Sequence, residues 1–142
     1  MCMTIFFNKA DKSITLGKRV ALKAFLEKQM KKEGIKIERL QYVFCSDKYL
    51  LNINKQFLNH DYYTDIISFD LSETGGDLIG DIYISVDRVK ENAKTHKTTQ
   101  GNELLRVIFH GALHFCGYKD KKPADEKLMR AMEDKWIGAY LK

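Results

Sequence analysis

The chain contains few of the features that mark modular, secreted or membrane-bound proteins. Its 142 residues include one proline and no Ser- or Gly-rich linker, so we expect a single domain over residues 1–142. No run approaches the ~18 apolar residues of a membrane span, and the N-terminus lacks a signal-peptide pattern. Cys2, Cys45 and Cys116 show no C-x2-C spacing, which argues against disulfides and against a cysteine-rich structural zinc site. These absences predict a cytoplasmic protein with free thiols and no membrane partner.

Positive charge is in moderate excess. The net charge is +5, from 24 lysines and arginines against 19 aspartates and glutamates. This balance is compatible with an anionic partner such as nucleic acid, but alone it is a weak indication. Six cations fall on the predicted first helix, where a solvated face is a simpler explanation than a nucleic-acid footprint. They are Lys18, Arg19, Lys23, Lys28, Lys31 and Lys32.

Apolar periodicity predicts a four-stranded sheet packed with about five helices. Strand–helix–strand units imply parallel pairing, and two strands around a Gly-rich turn imply an antiparallel hairpin. The fold class is therefore α+β with a small mixed sheet. Ser46 and Ser85 are placed to cap helices, and Gly34 to stop the first one. The predicted strands cover residues 4–7, 37–45, 65–71 and 78–85; the predicted helices cover residues 16–33, 48–57 and 86–96, a segment carrying His110, and a last segment from Pro123.

The last predicted helix is amphipathic. Pro123 suits its first turn, and Asp125 and Glu126 lie near its positive end. Its expected buried face consists of Leu128, Met129, Met132, Trp136 and Ile137.

The segment from His110 to Asp120 is the most informative one. His110 and His114 are four residues apart on a helix, so both imidazoles lie on one face and can reach one metal ion. Gly117 can end the helix in the left-handed conformation, after which the chain can turn back to offer Asp120. Three protein ligands with an open fourth position are typical of a catalytic zinc site.

Two other interpretations of this segment stay open. A histidine pair at this spacing also arises by chance, and histidines of an apolar helix are often hydrogen-bonded core residues. Zinc peptidases of the H-E-x-x-H type place a glutamate general base after the first histidine, and here that position is Gly111. We take this as evidence against peptide hydrolysis.

A second group of polar residues falls on the predicted hairpin. Asp65 and Ser68 lie on one strand and Asp81 on the next. The simpler interpretation is that both aspartates satisfy local backbone N–H groups. The functional one is that these strands line a cleft beside the two-histidine helix, with Asp65 a weak candidate for a catalytic base.

Four stretches, in order and spacing, resemble the YbeY family of bacterial metal-dependent endoribonucleases, which act in ribosomal RNA maturation. The family's last motif, H-G-x-L-H-x-x-G-Y, is matched in full from His110 to Tyr118. The resemblance implies a zincin-like fold and one divalent metal per chain, usually Zn2+, at His110 and His114. The four stretches are residues 51–52, 64–69, 80–85 and 110–118.

The chain departs from the family pattern at two places. The family's third ligand is typically a histidine, whereas the position here is Asp120, whose carboxylate is an acceptable zinc ligand. The family usually has an arginine in the loop before Thr64, and this chain has none there. Lys55 is the nearest cationic substitute, able to hold a phosphate as a point charge, and His60 is an alternative.

The resemblance implies cleavage of single-stranded RNA in maturation of the 16S ribosomal RNA 3′ end and in ribosome quality control. Lys55 and Asp65 are then candidate catalytic residues, His110, His114 and Asp120 the metal ligands, and ribosomal RNA and ribosome-associated proteins the partners. Two other functions remain open. One is a ribosome- or RNA-binding module whose metal is mainly structural; the other is a metallopeptidase, disfavoured by Gly111.

Overall fold

The computed structural model describes residues 4–142, so Cys2 lies outside the described residues. Its centre is one four-stranded sheet with the strand order β1-β2-β4-β3. Strands β1 and β4 each pair in parallel with β2, and β3 pairs antiparallel with β4, which confirms the predicted mixed sheet. The strands are β1 (Ile5–Lys9), β2 (Ile37–Cys45), β3 (Ile66–Asp70) and β4 (Leu78–Ser85).

Five helices accompany the sheet in the described part of the chain, as predicted. Ser46 and Ser85 cap the second and third of them, each accepting a hydrogen bond from a backbone N–H three residues on. None of the helices among residues 4–142 combines the length and apolar character needed to cross a membrane. The helices are α1 (Arg19–Lys32), α2 (Asp47–Leu58), α3 (Val86–Thr95), α4 (Gln100–Phe115) and α5 (Pro123–Leu141).

The two faces of the sheet carry unequal cores. The larger core joins one face to α1, α4 and α5, and the hydroxyl of its buried Tyr42 donates to the carbonyl of Ile108 on α4 at 2.8 Å. A smaller cluster of Cys45, Leu50 and Ile67 lies under α2. Because successive strand residues point to opposite faces, Tyr83 contacts the small cluster while Ile82 belongs to the large one.

Gly111 explains how closely α4 approaches the sheet. A Cβ atom at this position would lie 2.9 Å from Cδ1 of Ile82 and 3.0 Å from Cδ1 of Ile66. The position therefore faces the sheet, and a glutamate side chain would start inside the core. This packing gives a physical reason for the absence of the peptidase-type base.

Helix α1 starts later than predicted. The predicted start was residue 16, but Lys18 has a φ of 52°, a left-handed conformation, and the helix begins at Arg19. Leu16 contacts the core from outside the helix, and Val20, which the apolar pattern assigned to the buried face, is 70% exposed. Apolar periodicity alone could not separate a helical turn from a packed lead-in segment.

The buried face of α5 also differs from the prediction. Met129 and Trp136 are buried as expected, but Leu128 is 53% exposed. Glu133 takes a buried place between them with 5% exposure. Burying a charged carboxylate costs free energy unless the carboxylate is paired, and Glu133 is paired with Arg106 and His110.

Candidate metal centre and cleft

Helix α4 and the turn after it build the predicted cluster. Gly117 adopts a φ of +99°, and its N–H donates to the carbonyl of His114 at 3.0 Å, which ends the helix. The N–H of Tyr118 then donates to the carbonyl of Leu113 at 3.1 Å. The chain turns back as the glycine predicts and carries Asp120 to the histidine face.

Three potential ligand atoms converge there. The Nε2 atoms of His110 and His114 are 3.1 Å apart, and Oδ2 of Asp120 lies 3.1 Å from the first and 3.3 Å from the second. Tetrahedral zinc with ligands at ~2.0–2.1 Å separates its ligand atoms by about 3.3–3.4 Å. The three residues therefore fit one metal ion, and they form a possible metal-binding group of histidines and a carboxylate.

His110 contacts an acidic residue of α5 through Nδ1, the ring nitrogen that faces away from the cluster. Its Nδ1 lies 2.6 Å from Oε2 of Glu133. The other oxygen of Glu133, Oε1, accepts from Nη1 of Arg106 at 2.9 Å. Nη2 of Arg106 also donates to Oδ1 of Asp134 at 2.5 Å. These contacts connect α4 to α5 beside the cluster.

The electrostatics of this cluster favour positive charge. Burial lowers the pKa of His110, but the hydrogen bond and negative charge of Glu133, with the charges of Asp120 and Asp65, outweigh it and raise the pKa overall. The same anions that favour a proton on the imidazole favour a divalent cation between the ligand atoms. Metal and proton therefore compete for this place.

The cluster lies in an open cleft of about 910 Å³ between α4, α5 and the start of β3. Its wall carries more carboxylates than cations. Two of the carboxylates, Glu103 and Glu133, are buried and paired with His96 and Arg106. The lining carboxylates are Asp65, Asp70, Glu103, Asp120, Glu126 and Glu133, and the lining lysines and arginines are Arg106, Lys121 and Arg130.

The structure brings Asp65 into this cleft. It immediately precedes β3, and its carbonyl oxygen accepts from the N–H of Ser85 at 2.9 Å. Burial raises the pKa of its carboxyl group, against the opposing charge of His110. Asp81, by contrast, is engaged on the sheet, 3.5 Å from Nε2 of Gln41 and 3.7 Å from Arg39. These partners in the described chain are side chains of β2 and not the local backbone N–H groups that were predicted, and Asp81 is not among the residues that line the cleft.

Lys55 and His60 are not among the cleft-lining residues of the described chain. Lys55 is exposed, with its Nζ 3.4 Å from Oδ1 of Asp61. The ring of His60 stacks on Tyr62, whose hydroxyl lies 3.0 Å from Nδ1 of the histidine. Tyr62 itself does line the cleft, so the loop that precedes β3 borders the cleft at this residue.

Sequence reasoning missed Glu133 and Arg106. Residue type alone does not separate Glu133 from the exposed Glu126 of the same helix. One signal was available: Glu133 lies four residues after Met129 and three before Trp136, which is the spacing of a single helix face. An acidic residue inside an apolar stripe indicates a buried partner.

Comparison with known proteins gives consistent matches. A family model described as Endoribonuclease YbeY matches residues 6–140. "Endoribonuclease YbeY" of Cytophaga hutchinsonii is 52% identical over 131 residues, covering 92% of this chain and 92% of that protein. The protein of the same name from Christiangramia forsetii is 44% identical over 135 residues, covering 95% and 92%. The solution structure of TM1509 from Thermotoga maritima is similar with a TM-score of 0.68 and 30% identity, covering 96% and 89%.

An α+β fold with two histidines and a carboxylate in an open cleft has the ligand types of a catalytic metal site. Among proteins with such a site, the matches are specific. The chain belongs to the Endoribonuclease YbeY family, which confirms the resemblance drawn from the motifs. Members of this family are named as enzymes that cut RNA internally.

Proposed function

We propose that the chain, acting as one domain over residues 1–142, is a cytoplasmic zinc-dependent endoribonuclease that cleaves single-stranded RNA. Its proposed role is maturation of the 16S ribosomal RNA 3′ end and ribosome quality control, together with ribosome-associated proteins. The observation that carries the proposal is the convergence of His110, His114 and Asp120 in an open cleft of an endoribonuclease-family fold.

The donor set suits a catalytic ion. His110, His114 and Asp120 would hold a zinc ion, which would supply Lewis acidity for cleavage of a phosphodiester. Asp65 lies in the same cleft, and burial raises the pKa of its carboxyl group. A carboxylate with a raised pKa suits proton transfer near neutral pH, so we propose Asp65 as the general base.

The charge of the cleft supports a requirement for metal. An RNA backbone is anionic, and the cleft wall is mainly acidic. Arg106 is engaged by Glu133 and Asp134, whereas Lys121 and Arg130 are exposed and have no ion pair within residues 4–142. A divalent ion and these two side chains are the positive charges available to a phosphate in the cleft.

The role of Lys55 remains a proposal from the sequence. It would neutralise charge that develops on the phosphate during cleavage. To do so it must leave Asp61 and enter the cleft, which it does not line in this structure. Lys121 and Arg130 already line the cleft and are the alternatives for this role.

The deciding experiment measures metal content and RNA cleavage together. Wild type should carry about one zinc per chain and cleave a single-stranded RNA that spans the 16S 3′ end. His114→Ala should lose both properties while keeping its far-UV circular dichroism, and Asp120→Ala should lose or weaken zinc binding. His60→Ala is the matched control, because this histidine lies outside the ligand cluster and should keep its zinc. RNA cleavage by metal-free His114→Ala would contradict the metal mechanism.

Chelation distinguishes a catalytic from a mainly structural metal. The large core contains neither the histidines nor Asp120, so the chelated protein should unfold cooperatively, with a melting temperature lowered only by loss of ligand binding. RNA cleavage should stop. Melting of the fold on chelation would favour an RNA- or ribosome-binding module with a structural metal.

A further inference from the structure

We propose that Glu133 is a positioning residue for the metal centre: it fixes the ring of His110 and places the ring proton on Nδ1. This inference rests on the proposed metal site. It assigns to α5, a helix with none of the three ligands, control over how tightly that site binds its ion.

The first argument is geometric. Oε2 of Glu133 lies 2.6 Å from Nδ1 of His110, on the side of the ring away from the cluster. A carboxylate can only accept, so Nδ1 is the donor and carries the proton. The lone pair of the neutral ring then lies on Nε2, the atom 3.1 Å from both His114 Nε2 and Asp120 Oδ2. The ring is in the one tautomer that can bind metal at the cluster.

The second argument is that the two oxygens of the buried Glu133 carboxylate contact different partners. Arg106 compensates the charge of this carboxylate, yet contacts only one of its oxygens, at 2.9 Å. A guanidinium can hold both oxygens of a carboxylate in a bidentate pair, a frequent geometry for arginine and a carboxylate. Here the second guanidinium nitrogen goes to exposed Asp134 instead, and the second oxygen of Glu133 goes to His110. The arrangement leaves one oxygen of Glu133 for Arg106 and the other for the imidazole of His110.

The third argument is the asymmetry between the two histidines. The hydrogen bonds of the His114 side chain within the described residues all involve Nε2, and they lead into the cluster. His110 is the less exposed of the pair, at 20% against 33% for the side chain. His110 is thus the anchored ligand, and its orientation depends on α5.

The test is zinc affinity, measured by competition with a chromophoric chelator. In Glu133→Gln the side-chain amide must present its NH2 group either to Arg106, donor against donor, or to His110, which forces the ring proton onto Nε2. The first orientation leaves the carbonyl oxygen to accept from Nδ1 but replaces the Arg106 ion pair that holds residue 133 in place. The second puts the proton on the nitrogen that would bind the metal. In both, His110 loses a fixed anionic partner, and loss of such a partner typically weakens metal binding by about 10–100-fold. We expect a loss in this range and a changed visible spectrum of the cobalt-substituted protein.

Asp134→Asn is the matched control. Asp134 lies on the same helix and bonds the same Arg106, but has no contact with His110 among its hydrogen bonds. Its zinc affinity should stay within about twofold of wild type, a shift well below the range for loss of a carboxylate that contacts a metal-binding histidine. Equal zinc affinity of wild type and Glu133→Gln would overturn the inference and leave Glu133 as a structural ion-pair residue.

A measurement on wild type covers the case in which Glu133→Gln fails to fold. Nitrogen-15 NMR of the zinc-loaded protein should show His110 protonated at Nδ1 and metal-bound at Nε2; the opposite tautomer would overturn the inference. Failure of wild type to bind zinc at all would overturn the metal site itself. That result differs from the one in which wild type and Glu133→Gln bind zinc with equal affinity.

Discussion

At the residue scale, the close approach of α4 to the sheet explains why position 111 is glycine. A Cβ at this position would lie within 3.0 Å of two isoleucine side chains, closer than van der Waals contact allows. We expect Gly111→Ala to lower the free energy of unfolding by up to about 2 kcal/mol, because the ~1–3 kcal/mol cost of overpacking a core exceeds the ~0.5–1 kcal/mol that alanine gains over glycine in a helix. Urea denaturation of the two proteins measures this change.

Gly138 provides the control within the same protein. It also lies in a helix, α5, but an added Cβ there would meet nothing within 4 Å. Gly138→Ala should raise stability by about 0.5–1 kcal/mol, because alanine restricts the unfolded chain and favours helix. Equal effects of the two substitutions would show that close packing at Gly111 is not what the chain requires.

At the element scale, the start of α3 is tied to the start of α2 by one buried hydroxyl. Oγ of Ser85 accepts from the N–H of Arg88 at 3.1 Å and donates to Oδ1 of Asp47 at 2.6 Å. Ser85→Ala removes both bonds and should cost about 2 kcal/mol, the upper end for loss of a cap. Thermal or urea unfolding measures the loss.

Thr99 is a simpler cap and sets the reference for this prediction. It is exposed, and its hydroxyl accepts from the N–H of Asn102 at the start of α4. Thr99→Ala should cost about 1 kcal/mol, because the freed N–H can bond to water. A loss for Ser85→Ala no larger than that for Thr99→Ala would mean that the bond to Asp47 contributes nothing.

At the scale of the whole molecule, the distribution of charge matters more than its sum. The net charge is +5, yet the cleft is lined mainly by carboxylates, and many cations lie elsewhere, for example on α1. RNA affinity should therefore depend on a few cleft cations. Replacing Lys121 and Arg130 by Gln should reduce the slope of log affinity against log salt by about 0.7 for each lost phosphate contact.

The control for this prediction changes the same number of charges on α1. Lys31 and Lys32 lie at the end of that helix and outside the cleft. Their replacement by Gln should leave the salt slope nearly unchanged. The RNA affinities of the two double variants can be compared by fluorescence anisotropy with a short single-stranded RNA at low temperature. An equal reduction of the salt slope in the two double variants would show that RNA affinity depends on net charge and not on the cations of the cleft.

Much of this architecture was predictable because its causes are local. Hydrophobic period, capping serines and a glycine after the helix depend on residues a few positions apart. They placed the strands, the helices and the turn that carries Asp120, and the motifs indicated the family. The errors occurred where local causes were insufficient, as at Leu16 and Val20, and at Leu128, whose exposure depends on what α5 packs against.

The sequence by itself determined the mixed sheet, the pairing of His110 with His114 and the supply of Asp120, since each follows from short-range geometry. Tertiary structure decided the rest of the site. Glu133 reaches His110 across 23 positions of sequence. Asp65 joins the cleft from the position before β3, and Lys55 is not among the lining residues. These relations depend on how α4, α5 and the sheet pack together, and a linear pattern holds no information about distances between side chains on separate elements.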